Sequence, residues 1–323
     1  MLVHVSRLYS YPHYTLDIPI CKAQKRRFYQ AMSTDYIALR KDGFNRQTQK
    51  DNFTMRLKVV GGNLTSAQLA AIAKASEKYG NGYVHLTSRQ SVVIPFIKLE
   101  DIASVKAELE QNGVLTRFLG PRIRPVTACQ GEEVCRAGNI SSIPLAQEIS
   151  SRYDGRDFPS KLKIGVSGCL NNCMKAEEND IGVKGGRVVK WQKSKCTLCG
   201  ACESVCRKKA ITQNDAFTQK DTITIDEDKC NNCGQCAKSC PHDAFEYDRV
   251  YIMSFGGIFG NTIAKGEEVL PVIYDKETLL RVTDAAINFY EKSANKGERF
   301  RILIDRVGWD KFKAEMEAAY ATP

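Results

Sequence analysis

The chain has 323 residues, 43% of them hydrophobic and 26% charged, with 47 Lys+Arg against 37 Asp+Glu for a formal net charge of +10, and 13 cysteines. That much apolar residue can build two or three packed domains and excludes a disordered tail. Pro12, His13 and Asp17 stand where a secretory signal needs an apolar core, and no stretch is long and apolar enough to span a bilayer. The expectation is therefore a cytoplasmic chain with no membrane insertion, whose thiols serve metal rather than disulfides.

The basic surplus is confined to the front. Residues 1–52 and 53–125 each carry a net +5, residues 126–190 carry +1, residues 191–248 carry −1, and residues 249–323 balance. Twelve of the 13 cysteines lie between Cys129 and Cys240, with Cys21 as the exception, read as a lone free thiol.

In chain order, residues 1–52 have weak periodicity and read as an arm. Phe53–Val60 reads as a strand ended by Gly61-Gly62. Thr65 is placed to cap a helix through Tyr79 that stops at Gly80, and Glu100–Gln111 is a second helix closed by Gly113. Tyr83–Leu86 and Ser91–Ile97 read as strands between them. Residues 161–166 and 181–189 are strands flanking a cysteine-bearing turn, Arg249–Phe255 resumes the strand pattern, and 276–293 and 308–320 are amphipathic helices. The expected fold class is α+β. Its domains are the arm (1–52), a compact α+β unit (53–120), a split domain (121–190 and 249–323) and an insert (191–248).

The insert holds the strongest motif. Cys196-x2-Cys199-x2-Cys202-x3-Cys206 is followed by a second run of the same spacing, Cys230-x2-Cys233-x2-Cys236-x3-Cys240-Pro241. This is the run of a bacterial two-cluster ferredoxin, in which the fourth cysteine of each run serves the other [4Fe–4S] cube. Cys196, Cys199, Cys202 and Cys240 are then one ligand set, and Cys230, Cys233, Cys236 and Cys206 the other. Paired zinc sites are the alternative that CxxC spacing alone leaves open.

Four more cysteines stand as Cys129-x5-Cys135 and Cys169-x3-Cys173, in TACQGEEVCRAG and SGCLNNCMKAEEND. This pattern resembles the [4Fe–4S]–siroheme motif of the sulfite and nitrite reductases. The resemblance takes in the LTSRQ segment of the front unit and spans most of residues 53–290. The layout, with a double ferredoxin inserted after the motif, is similar to the C subunits of anaerobic sulfite reductases and to dissimilatory-type subunits. The resemblance implies a ferredoxin-like α+β half-domain followed by a siroheme/[4Fe–4S] domain. It also implies a siroheme, and a third cluster held by Cys129, Cys135, Cys169 and Cys173, with Cys173 bridging cluster and haem iron.

Three basic pairs sit at strand spacing, Arg56-x-Lys58, Arg122-x-Arg124 and Lys161-x-Lys163, and in a strand each would aim two cations at one face. Each pair alone reads as a solvated face. The resemblance assigns Arg56, Arg124, Lys161 and Lys163 to the anionic substrate, with Arg122 left open beside Arg124, and places Lys58, Arg89, Gln90, Arg122 and Asn171 at the macrocycle. His85 and His242 read as structural.

The activity so implied is six-electron reduction of sulfite to sulfide. Siroheme nitrite reduction and a haem-free electron-transfer subunit are the alternatives. No G-x-G-x-x-G fingerprint is present, so NADH is expected to be handled by a flavin-containing partner, with a further iron–sulfur subunit, in a hetero-oligomer. No nucleic-acid module accompanies the basic front. Three clusters and a siroheme would bring about −14 of charge, so the +10 reads as counter-charge.

Overall fold

The computed structural model describes residues 34–116, 119–213 and 222–322, so the expected arm before residue 34 and Cys21 lie outside the described residues. The chain divides into Met1–Ala38 and Leu39–Pro323. At the end of the first unit Asp35 Oδ1 accepts hydrogen bonds from the Ile37 and Ala38 amides (2.9 and 3.0 Å), capping the short helix α1 (Tyr36–Lys41).

The front part of the second unit is a four-stranded antiparallel sheet in the order β1-β2-β4-β3, formed by β1 (Phe44–Arg46), β2 (Asn52–Arg56), β3 (His85–Leu86) and β4 (Val92–Lys98). Pairing thus begins before residue 53, where the sequence pattern ends the arm. Helices α2 (Ser66–Tyr79) and α3 (Ile102–Gln111) supply Ile72, Ala75, Val105 and Leu109 to a core with Phe53, Met55 and Ile94. Thr65 and Gln68 form the capping box, each side chain bonding the other's backbone amide (3.1 and 3.0 Å). The strand expected to run to Val60 ends at Arg56. Leu57 and Lys58 bond Val92 and Leu115 instead, while the alternation of buried and part-buried residues continues to Val60.

The second sheet runs β10-β7-β6-β5. Strands β5 (Thr127–Ala128), β6 (Ile164–Ser167) and β7 (Ile181–Trp191) are parallel, and β10 (Phe245–Phe255) is antiparallel to β7. Strand β6 is wholly buried, as a central parallel strand must be. Helix α4 (Ser142–Arg152) and helices α7 (Lys276–Ser293), α8 (Phe300–Val307) and α9 (Trp309–Ala321) cover it, with Phe255, Phe289, Phe300 and Phe312 packed edge to face. The sequence pattern does not announce α4 or α8.

Strands β7 and β10 pair over their full length, from Ile181↔Phe255 to Trp191↔Phe245. They overrun the expected strands, and the overrun is the stem of the 191–248 segment. This segment has internal symmetry: the offset that carries Cys196 onto Cys230 also carries helix α5 (Ala201–Val205) onto α6 (Gln235–Ser239). It carries three left-handed residues onto three others, Leu198 onto Asn232 (φ 57° each), Gly200 onto Gly234 (74° and 70°) and Lys209 onto Asp243 (50° and 47°). The hairpin of β8 (Ile211–Gln213) and β9 (Ile223–Ile225) pairs Ile211 with Ile225, and the same offset turns it into the Phe245–Trp191 rung of the stem. Ile211, Ile223, Phe245 and Cys202 form the segment's small core. Strands β11 (Ile258–Phe259) and β12 (Ile263–Ala264) form a further hairpin. Among the described residues no helix is long and apolar enough to cross a membrane.

Candidate functional site

Because β5 and β6 are parallel neighbours, with Thr127 beside Gly165 and Ala128 beside Val166, whatever follows them meets at one end and whatever precedes them meets at the other. Cys129 follows β5 and Cys169 follows β6. The Gly168 amide donates to Cys129 Sγ at 3.0 Å, and a Cβ on Gly168 would lie 3.0 Å from the backbone Cα of Gly131 in the other loop, so the two loops approach more closely than a side chain there comfortably allows. Cys169 is half buried. Burial pushes its thiol pKa up, and so do the neighbouring thiols of Cys129, Cys135 and Cys173, which places all four in one electrostatic neighbourhood. Cys135 and Cys173 are exposed, which leaves that neighbourhood open on one side.

The Cys169–Cys173 loop is built by Asn172, whose φ of 53° is left-handed. Its side-chain oxygen accepts from Ser167 Oγ (3.1 Å) and from the Ala176 amide (2.8 Å), and its NH2 donates to Glu177. Glu177 in turn pairs with the buried Lys184, which also reaches Glu268 at 2.7 Å. Asn171 is exposed and lines the cavity on the insert side.

At the amino ends of β5 and β6 stand Arg124, Lys161 and Lys163. They border a cavity of about 720 Å³ together with Arg56 at the end of β2, Arg89 in the β3–β4 turn, and His85, Tyr83 and Thr87. Arg89 is anchored by Nη1 on Asn179 Oδ1 (2.8 Å) and Nη2 on the carbonyls of Pro125 (3.1 Å) and Ile164 (3.2 Å). The Nε atoms of Arg56 and Arg89 and Nη1 of Arg124 are buried without a hydrogen-bond partner. Burial lowers Arg89 to about 10; Arg124 falls to about 10 through burial and then through Arg56, Arg40 and Arg299. Lys161 and Lys163 are also depressed, first by burial and then by Arg299. So many cations facing one another, with donors left over, are chemically suited to an anion.

Asp180, fully buried, holds this end together. Arg299 Nη2 donates to both its oxygens (2.9 and 3.0 Å) and the Lys163 amide donates to Oδ2 (2.8 Å). Burial pushes the Asp180 carboxyl up while Arg299 pulls it down. Sequence reasoning missed Arg299 and Asp180. Asp180 stands just before a recognisable strand, but nothing in the spacing links it to an arginine 119 positions later.

The fold does not treat the cations of the three strand-spaced pairs alike. Arg56, Arg124, Lys161 and Lys163 converge on the cavity. Lys58 does not: past the end of β2 it faces a separate depression and pairs with Asp154 at 2.5 Å. Arg122 pairs with Asp157 at 2.7 Å, because residues 122–124 make isolated bridges rather than a strand. Gln90 (φ 55°) clasps β5, its Nε2 donating to the Ala128 carbonyl (2.8 Å) and its Oε1 accepting the Ala128 amide (2.9 Å).

In the insert, one cavity is lined by Cys196, Cys199, Cys202 and Cys240, and another, of about 540 Å³, by Cys206, Cys230, Cys233 and Cys236 with Cys169 and Arg187. These are the crossed sets that the spacing implies. The Ala210 and Ala244 amides donate to Cys206 Sγ (3.2 Å) and Cys240 Sγ (3.3 Å) at equivalent places in the repeat.

Residues 119–323 match the family model described as the nitrite and sulphite reductase 4Fe-4S domain, and residues 45–112 match the nitrite/sulfite reductase ferredoxin-like half domain. The coenzyme F420-dependent sulfite reductase of Methanocaldococcus jannaschii is 30% identical over 80% of this chain and 41% of its own length. The C subunit of the anaerobic sulfite reductase of Salmonella typhimurium is 27% identical over 61% of this chain and 58% of its own. The chain thus spans well under two thirds of either relative. The crystal structure of dissimilatory sulfite reductase I superposes with a TM-score of 0.67, 18% identity, and coverage of 84% of this chain and 72% of that one, a likeness of fold. The chain belongs to the nitrite and sulfite reductase family, whose cofactors are of the iron–sulfur and siroheme kind. The donor sets fit both groups: clustered thiols at one end, and unpaired buried guanidinium nitrogens for a polycarboxylate at the other.

Proposed function

We propose that this chain is the siroheme-binding catalytic subunit of a sulfite reductase, with an electron-carrying ferredoxin segment over residues 191–248. The observation that carries it is the convergence of Arg56, Arg89, Arg124, Lys161 and Lys163, from four separated stretches of chain, on one cavity at the end of β5 and β6 opposite the thiols.

On this reading Cys129, Cys135, Cys169 and Cys173 would hold one [4Fe–4S] cluster, with Cys173 also a ligand for siroheme, and the insert's crossed sets two more. Because thiols and cations stand at opposite ends of β5 and β6, the cations would serve a siroheme carried by another subunit or a second copy of this chain. Siroheme, when bound, would supply an iron to take sulfite through sulfur and a conjugated ring to feed it electrons. The rest falls to the chain's own side chains. Arg56 and Arg124 neutralise the oxyanion, with a guanidinium edge suited to two oxygens at once. Lys161 and Lys163 add point charges and, with pKa values already depressed, give up a proton to departing oxygen more readily than ordinary lysines. Asp180 and Arg299 fix the backbone from which Lys163 projects. His85, exposed on β3 at the cavity wall, is a second proton source.

Electrons would come from a flavoprotein that oxidises NADH, by way of another iron–sulfur subunit, in a cytoplasmic hetero-oligomer. Nitrite is the second substrate to test, since the matched family covers both anions. Anaerobic purification with iron and siroheme analysis, followed by viologen-driven turnover, decides. Three clusters, bound siroheme and preference for sulfite are expected. A wide preference for nitrite overturns the substrate, and a haem-free protein overturns the catalytic role.

A further inference from the structure

Beyond its stem, the insert is tied to the rest of the unit by hydrogen bonds in which one side chain recurs. Lys238, half buried on α6, donates from Nζ to the carbonyls of Ala137 (2.7 Å), Gly138 (2.9 Å) and Arg136 (3.4 Å), the three residues after Gly131–Cys135. The carbonyls are held in place. A Cβ on Gly138 would sit 2.4 Å from Glu132 Cα, so this loop is folded too tightly for any side chain there. Next to it the fully buried Asn139 donates to the carbonyls of Gly185 (3.3 Å) and Cys233 (3.4 Å), and the Arg187 amide donates to the Asn232 carbonyl (2.7 Å).

The internal repeat supplies a control. The residue that the repeat offset places in register with Lys238 is Ser204, exposed and bonded only within its own helix, to the Ala201 carbonyl at 2.9 Å. The two halves are otherwise alike in helix, turn and amide-to-sulfur bond. The lysine therefore occurs only in the half that faces the Cys129–Cys135 loop. Its ammonium bonds the carbonyls directly after Cys135, while its own helix carries Cys236, so it stands between thiols of two different ligand sets.

We infer that Lys238 is a positioning residue that clasps the insert to the loop after Cys135 and keeps one positive charge between the two facing thiol sets. This rests on the proposal that both sets hold clusters. A cluster gains a negative charge when it is reduced, and a nearby cation stabilises that state, so Lys238 raises the reduction potential of both facing clusters together. Sequence spacing assigns it no such role, because it is neither a ligand nor near the cationic cavity.

The test compares anaerobically assembled full-length wild type with Lys238→Met, Lys238→Gln and Lys238→Arg, using iron content and a redox titration followed by electron paramagnetic resonance. Two of three potentials should shift negative in Lys238→Met and Lys238→Gln, stay near wild type in Lys238→Arg, and leave unchanged the cluster of Cys196, Cys199, Cys202 and Cys240. Lys238→Gln keeps a donor for the carbonyls without the charge; should Lys238→Met fail to assemble, Lys238→Gln against Lys238→Arg decides alone. Wild type with three clusters and variants with unmoved potentials overturn the inference. Wild type without clusters overturns the reading beneath it, and the inference with it.

Discussion

At their carboxyl ends β5 and β6 present thiols; at their amino ends they present cations. At the strand rise of about 3.3 Å per residue, the four residues of β6 hold the two apart by roughly 13 Å. The thiol end is assembled locally: Cys129–Cys135 and Cys169–Cys173 are short loops, each closed by its own backbone bonds. The cationic end is assembled from β2, the β3–β4 turn and the starts of β5 and β6, and is braced by an arginine from the far C-terminal helices. Thiols can be set by a loop because the metal organises them further. Cations that repel one another have to be held in place by the fold.

The largest effect should come from the local end. Cys169→Ser is expected to remove the iron of one cluster and abolish turnover while the insert's iron remains; iron analysis with cluster spectroscopy checks it, and full iron content would break the assignment. At the distributed end, Lys163→Met should lower kcat/KM for sulfite by about 10²-fold, the usual scale for a lost preorganised charge. Lys58→Met, whose cation is spent on Asp154, should change it little, and equal effects would erase the contrast between the two lysines.

Asp180→Asn leaves Arg299 partly buried and unpaired, and should cost about 3 kcal/mol in chemical denaturation, with weaker sulfite binding as a by-product. The pH response sharpens the contrast further. Lys161 and Lys163 bind an anion in their protonated form, and their pKa values lie below the ordinary 10.5. Sulfite affinity should therefore be flat at low pH and fall as pH rises through the depressed value, earlier than an unperturbed lysine allows. Lys163→Arg should move that fall upward. The smallest effect belongs to Thr65→Ala, about 1 kcal/mol of stability from the lost cap of α2, with kcat/KM unchanged.

What the residues disclosed in advance follows the same division. The crossed thiol sets could be read from spacing because a single offset, Cys196 to Cys230, relates two copies of one local structure. Helix α2 announced itself through Thr65 and Gly80. Lys161 and Lys163 both line the cavity as i and i+2 spacing expects, although the strand expected over 161–166 begins only at Ile164; Lys58 departs from Arg56 because its ammonium pairs with Asp154. Helix α4 carries Pro144 near its start, and α8 spans only eight residues, too short a stretch for periodicity to stand out. Asp180–Arg299 was invisible because a bond across 119 residues leaves no pattern in either neighbourhood.

The stem formed by β7 and β10 bears on how such a chain can be remodelled. Trp191 lies opposite Phe245, so the two ends of the 191–248 segment emerge one strand spacing apart, about 5 Å. Apart from the bonds of Lys238, Asn139 and Arg187, the host sheet meets the segment there as a hairpin tip. A two-residue turn joining the strands lower on the ladder, between Val188 and Asp248, would leave the rungs down to Ile181↔Phe255 intact. The 191–248 segment is in this sense a cartridge: a replacement has to remake the bonds of Lys238, Asn139 and Arg187 but need not alter the register of the strand beside Cys169 and Lys163.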